Sequence, residues 1–185
     1  RTDLAAFEAQ LGQMGLVWNR GSVEGAYVLE HPGSLAESPA YRAGMFSIQG
    51  ESSMLAALAV QARPGMQLLD ACAAPGGKAC LMAEQMNGAG RVHAWDVHPH
   101  RVELIRAAAR RLGLENVRPA MHDARKPMES MEQMMDAVLV DAPCSGLGVM
   151  SDKPDIRFRT AQEGLDALLP LQRAILDACA QAVKV

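Results

Sequence analysis

Apolar residues follow two alternating patterns from about residue 51 onward. Short, mostly apolar runs that finish on an aspartate predict buried strands, and longer segments with apolar residues three or four apart predict helices. Proline in a first turn and glycine after a last turn mark several helix ends. These patterns predict strands over residues 67–71, 91–96, 116–122 and 137–141 and helices over residues 52–61, 77–86 and 99–112.

Strands that alternate with helices in this way predict an α/β fold with a doubly wound, mostly parallel sheet. Toward the end of the chain, Thr160 and Glu163 form a capping box, and we expect the following helix to be interrupted and restarted at Pro170. Residues 182–185 lie where another strand should begin. Because four parallel strands with an uncovered last edge would tend to aggregate, we expect the natural protein to be longer.

The first 45 residues lack this regular alternation. Residues 4–14 have the apolar spacing of one helix face, residues 23–29 predict a strand, and residues 31–34 predict a turn. This piece is too small to predict an independent core. We expect it to be the remnant of a preceding domain or a cover on the main domain, which then occupies residues 46–185.

The length, composition and net charge of the chain are those of a globular protein without strong charge. With 185 residues, 49% of them apolar, the chain can form one domain with a substantial core. No apolar stretch is long enough to cross a membrane and no signal-peptide core is present, so we expect a cytoplasmic protein. The net charge of −3 argues against a surface coated with basic residues. Seven basic residues against three acidic ones between Arg101 and Lys126 favour a solvated helix face.

The four cysteines are far apart in the chain, at Cys72, Cys80, Cys144 and Cys179, and none forms a C-x-x-C pair. We therefore expect no zinc or other metal site, and no disulfide framework.

The loop from Cys72 to Lys78 reads Cys-Ala-Ala-Pro-Gly-Gly-Lys and joins a predicted strand to a predicted helix. Its small residues let a ligand approach the backbone, and the helix N-terminus offers free N–H groups. A P-loop is excluded because Ala79 follows the lysine and the first glycine is missing, and the G-x-G-x-x-G pattern of an NAD site is absent. S-adenosylmethionine, which has no pyrophosphate, suits such a short loop.

Aspartates finish the four predicted strands: Asp70, Asp96, Asp123 and Asp141. Asp96 follows the glycines by about 20 residues, where a carboxylate can accept hydrogen bonds from ribose hydroxyls. Asp123 is positioned to meet an adenine amino group. Any one of these residues could merely cap the next turn or helix. The series of four favours a ligand site.

Cys144 follows Pro143 in the loop after the last predicted strand. A free cysteine is often buried and inert, but a thiol beside a cofactor pocket is a candidate nucleophile. When a thiolate adds to C6 of a pyrimidine, C5 becomes able to accept a methyl group. Asp141 could hold the cytosine amino group or the sulfonium end of the cofactor. The histidines are interpreted as surface or packing residues.

Three motifs, Cys72–Lys78, Asp141–Gly146 and Lys153–Phe158, closely resemble the RsmB/Sun family of RNA cytosine-C5 methyltransferases, and the resemblance covers about residues 40–185. It implies a Rossmann-like class I methyltransferase fold, S-adenosylmethionine as cofactor and structured RNA, most often ribosomal RNA, as substrate. The cofactor-binding residues it implies are Cys72, Ala73, Ala74, Pro75, Gly76, Gly77, Lys78, Asp96, Asp123 and Asp141. The resemblance also implies that residues 1–45 remain from an RNA-binding region.

The resemblance further implies two cysteines with different roles. The Pro-Cys cysteine, here Cys144, assists release of the methylated base, while the attacking cysteine lies in a Thr-Cys motif that this chain does not reach. Neither Cys80 nor Cys179 can replace it. We expect a monomeric enzyme that needs no metal or membrane. The alternatives are a module that binds S-adenosylmethionine or RNA without catalysis, and an unrelated nucleotide-binding Rossmann domain.

Overall fold

The computed structural model describes residues 3–30, 33–146 and 162–185. Within them the helices are α1 (Leu4–Gln13), α2 (Pro39–Arg42), α3 (Glu51–Leu58), α4 (Gly77–Gln85), α5 (Pro99–Arg111) and α6 (Gln162–Ala180). The strands are β1 (Val17–Arg20), β2 (Tyr27–Glu30), β3 (Gln67–Asp70), β4 (Arg91–Asp96), β5 (Val117–Met121) and β6 (Ala137–Leu139). Short 3-10 turns occupy Leu35–Glu37 and Glu129–Met131. None of the helices within these ranges has both the length and the apolar character needed to span a bilayer.

Four of the strands form one parallel sheet in the order β5-β4-β3-β6. The chain moves outward from β3 to β4 and β5, then returns to the other side of β3 with β6. This reversal is the switch point of a doubly wound sheet, and it opens a crevice at the carboxyl ends of β3 and β6. The predicted α/β class is confirmed.

The predicted strands agree with the structure at their centres and differ at their ends. Strand β4 has the predicted bounds, whereas β5 and β6 stop at Met121 and Leu139. The last pairs in the sheet join Asp96 to Met121 and Asp70 to Leu139. Asp123 and Asp141 therefore lie two residues beyond their strands, in loops, and not at the strand ends that the sequence predicted.

Alternating residues of each strand supply two separate cores. On one face, Leu68 and Val92 pack with Ile105 of α5 and with residues of α4. On the other face, Leu69 and Trp95 join a cluster that includes residues of α6. The sheet is thus covered on both sides near the crevice.

Helix α6 is continuous through Pro170, so the predicted interruption is wrong. Pro170 is exposed, and the hydrogen bond that it cannot donate is lost at the solvent side of the helix. Ile175 and Cys179, further along, are buried against the sheet and hold the helix in place. The predicted capping box at Thr160 and Glu163 falls outside the residues whose side chains are described.

The structure of the first 45 residues differs from the prediction in both of its strands. The predicted helix is present as α1, but the strand expected over residues 23–29 starts only at Tyr27, and its antiparallel partner β1 was missed. Val23 is instead in a turn, where the Glu51 carboxylate accepts hydrogen bonds from the N–H groups of Ser22 and Val23. The turn predicted over residues 31–34 lies partly outside the described residues.

This N-terminal region packs on the main sheet domain through Arg111 of α5. The Arg111 guanidinium donates hydrogen bonds to the carbonyls of Tyr41 (2.8 Å) and Phe46 (2.9 Å) and lies 3.7 Å from the centre of the Tyr41 ring. Phe7 contacts both Phe46 and the ring of Tyr27. The region therefore covers the C-terminal end of α5 with its own aromatic cluster.

Candidate functional site

An open cavity of about 310 Å³ lies at the carboxyl ends of the parallel strands. It combines residues from the loops after the four parallel strands with Ile175 of α6. Six of the predicted site residues line it: Cys72, Ala74, Asp96, Asp123, Asp141 and Cys144. The remaining predicted loop residues belong to the same loop but do not line the cavity: Ala73, Pro75, Gly76, Gly77 and Lys78.

The loop after β3 is held in place by backbone contacts. The N–H of Ala73 donates to the carbonyl of Trp95 at 2.7 Å, which ties the loop to β4. Gly76 has a φ of 110° and precedes α4, and a Cβ at this position would lie 3.1 Å from Cα of Ile105. Only glycine combines this backbone conformation with such close packing. The side chain of Gln49 lies against Gly77 from outside the loop.

Asp96 is 5% exposed and has two partners. Its Oδ1 accepts a hydrogen bond from the N–H of His98 at 2.9 Å. Its Oδ2 lies 3.3 Å from Nη1 of Arg101, in the first turn of α5. The carboxylate is thus fixed at the cavity wall, where its remaining lone pairs can accept from hydroxyl donors.

Asp123 forms a bidentate ion pair with Arg125. The guanidinium donates from Nη2 to Oδ2 at 2.7 Å and from Nε to Oδ1 at 2.9 Å. Because these hydrogen bonds stabilise the charged form, the pKa of Asp123 falls to about 2. Asp123 is therefore a carboxylate at every physiological pH.

The third carboxylate, Asp141, is paired with Lys78 across the crevice, with 2.7 Å between Nζ and Oδ2. Below them lies Asp70, whose side-chain oxygens are buried and accept no hydrogen bond of normal geometry from the described residues. Burial raises the pKa of Asp70 to about 7, although the charge of Lys78 and the nearby N–H of Cys72 partly oppose that shift. Asp70 does not line the cavity, but this buried carboxyl group with a raised pKa lies close to the Lys78–Asp141 ion pair.

Two cysteines line the cavity in different surroundings. Cys72 is half-buried, and burial together with nearby negative charge raises the pKa of its thiol to about 12. Cys144 is exposed, in the loop after β6. That loop is attached to α6 by a hydrogen bond of 2.8 Å from Nε2 of Gln172 to the carbonyl of Pro143. Cys80 and Cys179 are buried and do not line the cavity.

Sequence reasoning assigns no site role to several residues that lie in or beside the cavity. Arg101, His122 and Arg125 line the cavity, and Gln49 packs on the glycine loop. The sequence predicts that the histidines are surface or packing residues. The ring of His122 does pack against Trp95, with 4.2 Å between the ring centres, but His122 also lines the cavity. The run of positive charge from Arg101 to Lys126 is not one helix face. Arg101 and Arg125 line the cavity, Arg106, Arg110 and Arg111 belong to α5 away from it, Arg118 is in the edge strand β5, and Lys126 lies in the loop after β5.

Within the described ranges, no group of three or more histidine, cysteine, aspartate or glutamate side chains is arranged to hold a metal ion. The Lys153–Phe158 motif lies outside the described residues.

Comparison with known proteins gives consistent matches. A family model described as "16S rRNA methyltransferase RsmB/F" matches residues 57–185. The chain is 40% identical, over 185 residues, to the probable ribosomal RNA small subunit methyltransferase B of Bacillus subtilis (strain 168), covering 100% of this chain and 41% of that protein. It is 31% identical, over 176 residues, to a 28S rRNA (cytosine-C(5))-methyltransferase of Mus musculus, covering 95% of this chain and 22% of that one.

Solved structures match as well. The crystal structure of PH0851 has a TM-score of 0.94 and 31% identity, and the match covers 99% of this chain and 42% of that one. The structure of NSun6 from Pyrococcus horikoshii with SFG has a TM-score of 0.72 and 29% identity, covering 82% and 38%. The chain spans about two fifths of the length of the Bacillus relative.

Proposed function

The chain belongs to the RsmB/F family of 16S rRNA methyltransferases, and from this we propose that it forms the cofactor-binding part of an enzyme that methylates C5 of a cytosine in ribosomal RNA. Its sheet has the Rossmann-like class I methyltransferase fold. The observation that carries the proposal is the cavity itself, which combines two anchored carboxylates, Asp96 and Asp123, with the exposed thiol of Cys144.

The residues of the cavity fit S-adenosylmethionine. Asp96 offers acceptor oxygens for a ribose diol, and Asp123 offers them for an exocyclic amino group. The two arginines that line the cavity, Arg101 and Arg125, are already paired with carboxylates. The cavity therefore favours a ligand that donates hydrogen bonds over a pyrophosphate, which needs unpaired cations or N–H groups. The relative crystallised with SFG, an analogue of S-adenosylmethionine, supports the same choice.

The bound cofactor would supply an electrophilic methyl group on a sulfonium. The loop of residues 72–78 holds one side of the ligand, and Asp141 is positioned at the crevice to orient the cytosine amino group or the sulfonium end. Cys144 assists release: after C5 is methylated through a transient cysteine adduct at C6, a general base takes the C5 proton, the C5–C6 double bond re-forms and the C6–S bond breaks, so that the attacking cysteine leaves as a thiolate and the methylated cytosine is freed. Cys80 and Cys179 are buried and do not line the cavity, so neither is assigned as the thiol that forms this adduct.

The test is Cys144→Ala in the full-length protein, incubated with S-adenosylmethionine and ribosomal RNA. We expect a covalent protein–RNA adduct to accumulate and appear as a shifted band on a denaturing gel, because release is slowed after methyl transfer. Cys80→Ala is the matched control, a cysteine buried in the α4 core, and it should release RNA normally. Normal turnover by Cys144→Ala would remove Cys144 from the release step.

A module that binds S-adenosylmethionine or RNA without catalysis is the alternative, and incorporation of labelled methyl groups into RNA separates it from the enzyme. The proposal includes a monomer in the cytoplasm, where ribosomal RNA is the substrate. It also assigns residues 1–45 to an RNA-binding or covering role on the methyltransferase domain of residues 46–185. The covering role is supported by the hydrogen bond from Arg111 of α5 to the carbonyl of Tyr41 and by the packing of its guanidinium on the Tyr41 ring.

A further inference from the structure

Arg101 contacts two chain segments that line the cavity, the end of β4 and the loop after β3. We propose that Arg101 is a positioning residue, which holds Asp96 and the loop of residues 72–78 in the geometry that receives the nucleoside end of the cofactor. The inference rests on the proposed function, because it assumes that this cavity binds S-adenosylmethionine.

Two contacts define the role. Nη1 of Arg101 lies 3.3 Å from Oδ2 of Asp96, at the end of β4. Nη2 of the same guanidinium donates to the carbonyl of Ala74, also at 3.3 Å, in the loop after β3. Since all three residues line the cavity, the guanidinium connects these two segments at the cavity surface.

The local sequence explains why Arg101 reaches both partners. Pro99 starts α5 three residues after Asp96, so Arg101 is in the first turn of the helix, directly beside the strand end. A guanidinium presents several N–H donors in a rigid plane, and each Nη group serves one partner. A lysine at this position would place a single point charge and could not bridge in the same way.

The contact between Arg101 and Asp96 is longer than a short ion pair. Charge-assisted hydrogen bonds of this type are commonly about 2.7–2.9 Å long, and the observed 3.3 Å is longer. Oδ1 is held by the N–H of His98, so Arg101 is the described residue that fixes the orientation of Oδ2. Without it the carboxylate keeps only one anchor, and the loop loses its attachment to α5 at Ala74.

Helix α5 also offers a matched control. Arg106 has the same side-chain exposure as Arg101, 42%, and also pairs with an acidic residue, Glu103. Neither Arg106 nor Glu103 lines the cavity. Arg106→Ala therefore removes the same charge and the same side chain from the same helix without touching the proposed site.

The experiment is a double-mutant cycle on the 185-residue chain, with S-adenosylmethionine affinity measured by calorimetry and melting temperature recorded for every variant. We expect Arg101→Ala to raise Kd about tenfold, Arg101→Lys to restore part of this loss, and Arg106→Ala to change Kd by less than about twofold. In an Asp96→Asn background, Arg101→Ala should cost less than about threefold, because its main partner is already altered.

Three results would overturn the inference. One is an unchanged Kd for Arg101→Ala. The second is a loss that is equally large in the Asp96→Asn background, which would mean that Arg101 acts independently of Asp96. The third is a loss matched by Arg106→Ala, which would indicate a general effect of charge or helix stability. Failure of the unaltered chain to bind S-adenosylmethionine would instead contradict the proposed function, and the inference with it.

Discussion

The two walls of the cavity differ in how far the fold buries them. The first wall, formed by the ends of β3 and β4 and by residues 72–78, is backed by core on both faces of the sheet, and its groups are fixed by backbone contacts. The second wall, the loop of residues 141–146, leaves the sheet after only three paired residues and is largely exposed. Under the proposed function, the first wall holds the cofactor and the second wall is open to the RNA.

The two cysteines in these walls show what the difference means chemically. Both follow a strand and line the same cavity. Burial and neighbouring carboxylates keep Cys72 a neutral thiol, because a thiolate there would be poorly solvated and repelled. Cys144 is exposed and can reach a macromolecular substrate. Position at the rim of the cavity therefore does not by itself make a cysteine a nucleophile, because burial and neighbouring charges determine how readily its thiol ionises.

The largest expected effect is in alkylation by iodoacetamide at pH 8. With a pKa of about 12, Cys72 is thiolate in only about one molecule in ten thousand. We expect Cys144 to be modified at least about a hundredfold faster than Cys72, as measured by mass spectrometry of digests over time.

Cys144→Ser should abolish the fast phase of this reaction, and Cys72→Ser should leave it intact. Comparable rates for the two cysteines in the unaltered chain would contradict the assignment of inert and reactive walls.

The next effect concerns Asp70 and the pH dependence of stability. Its pKa is raised from 3.8 to about 7 in the folded chain, so the unfolded chain gives up this proton at lower pH than the folded one. The resulting destabilisation is absent below about pH 4, grows as the pH rises and is complete above about pH 7. Asp70→Asn removes it. We expect the variant to gain on the order of 2–4 kcal/mol relative to the unaltered chain between pH 4 and pH 8.

Urea unfolding of both proteins at the two pH values measures this gain. Lowered pKa values elsewhere, as at Asp123 and Asp136, act in the opposite direction but are present in both proteins and cancel. If the difference in unfolding free energy between the two proteins were the same at pH 4 and pH 8, burial would not raise the pKa of Asp70.

The smallest effect is expected in the exposed wall. Gln172→Ala removes the hydrogen bond to the carbonyl of Pro143, which is accessible to water. Because water can replace this partner, unfolding free energy should fall by less than about 1 kcal/mol, while alkylation of Cys144 becomes faster. A slower alkylation would mean that the hydrogen bond exposes the thiol instead of restraining it.

The sheet domain was predictable from sequence because its signals are local. Strand β4 and helix α5 are bounded by a terminal aspartate, a first-turn proline and a glycine stop, and the structure reproduces them almost to the residue. The position of the cavity was predictable from the small-residue loop and the Pro-Cys loop, again because their sequence signals are local. Each comes directly after an apolar run, and parallel strands bring such loops to one edge.

The remaining features depend on contacts between distant residues. No local pattern shows that Glu51 organises the turn before β2, or that the core contacts of Ile175 and Cys179 hold α6 straight through Pro170. Arg101 was visible only as one member of a charged run. Its role follows from partners 5 and 27 residues away.

The most direct test of the central claim is calorimetric titration of the 185-residue chain with S-adenosylmethionine and, separately, with NAD. We expect S-adenosylmethionine to bind at one site per chain and NAD not to bind. Asp96→Ala should weaken the first interaction by about 1–3 kcal/mol, because a buried hydrogen-bonding partner is lost. Binding of NAD without binding of S-adenosylmethionine, or an affinity unaffected by Asp96→Ala, would contradict the assignment of this cavity as a methyl-donor site.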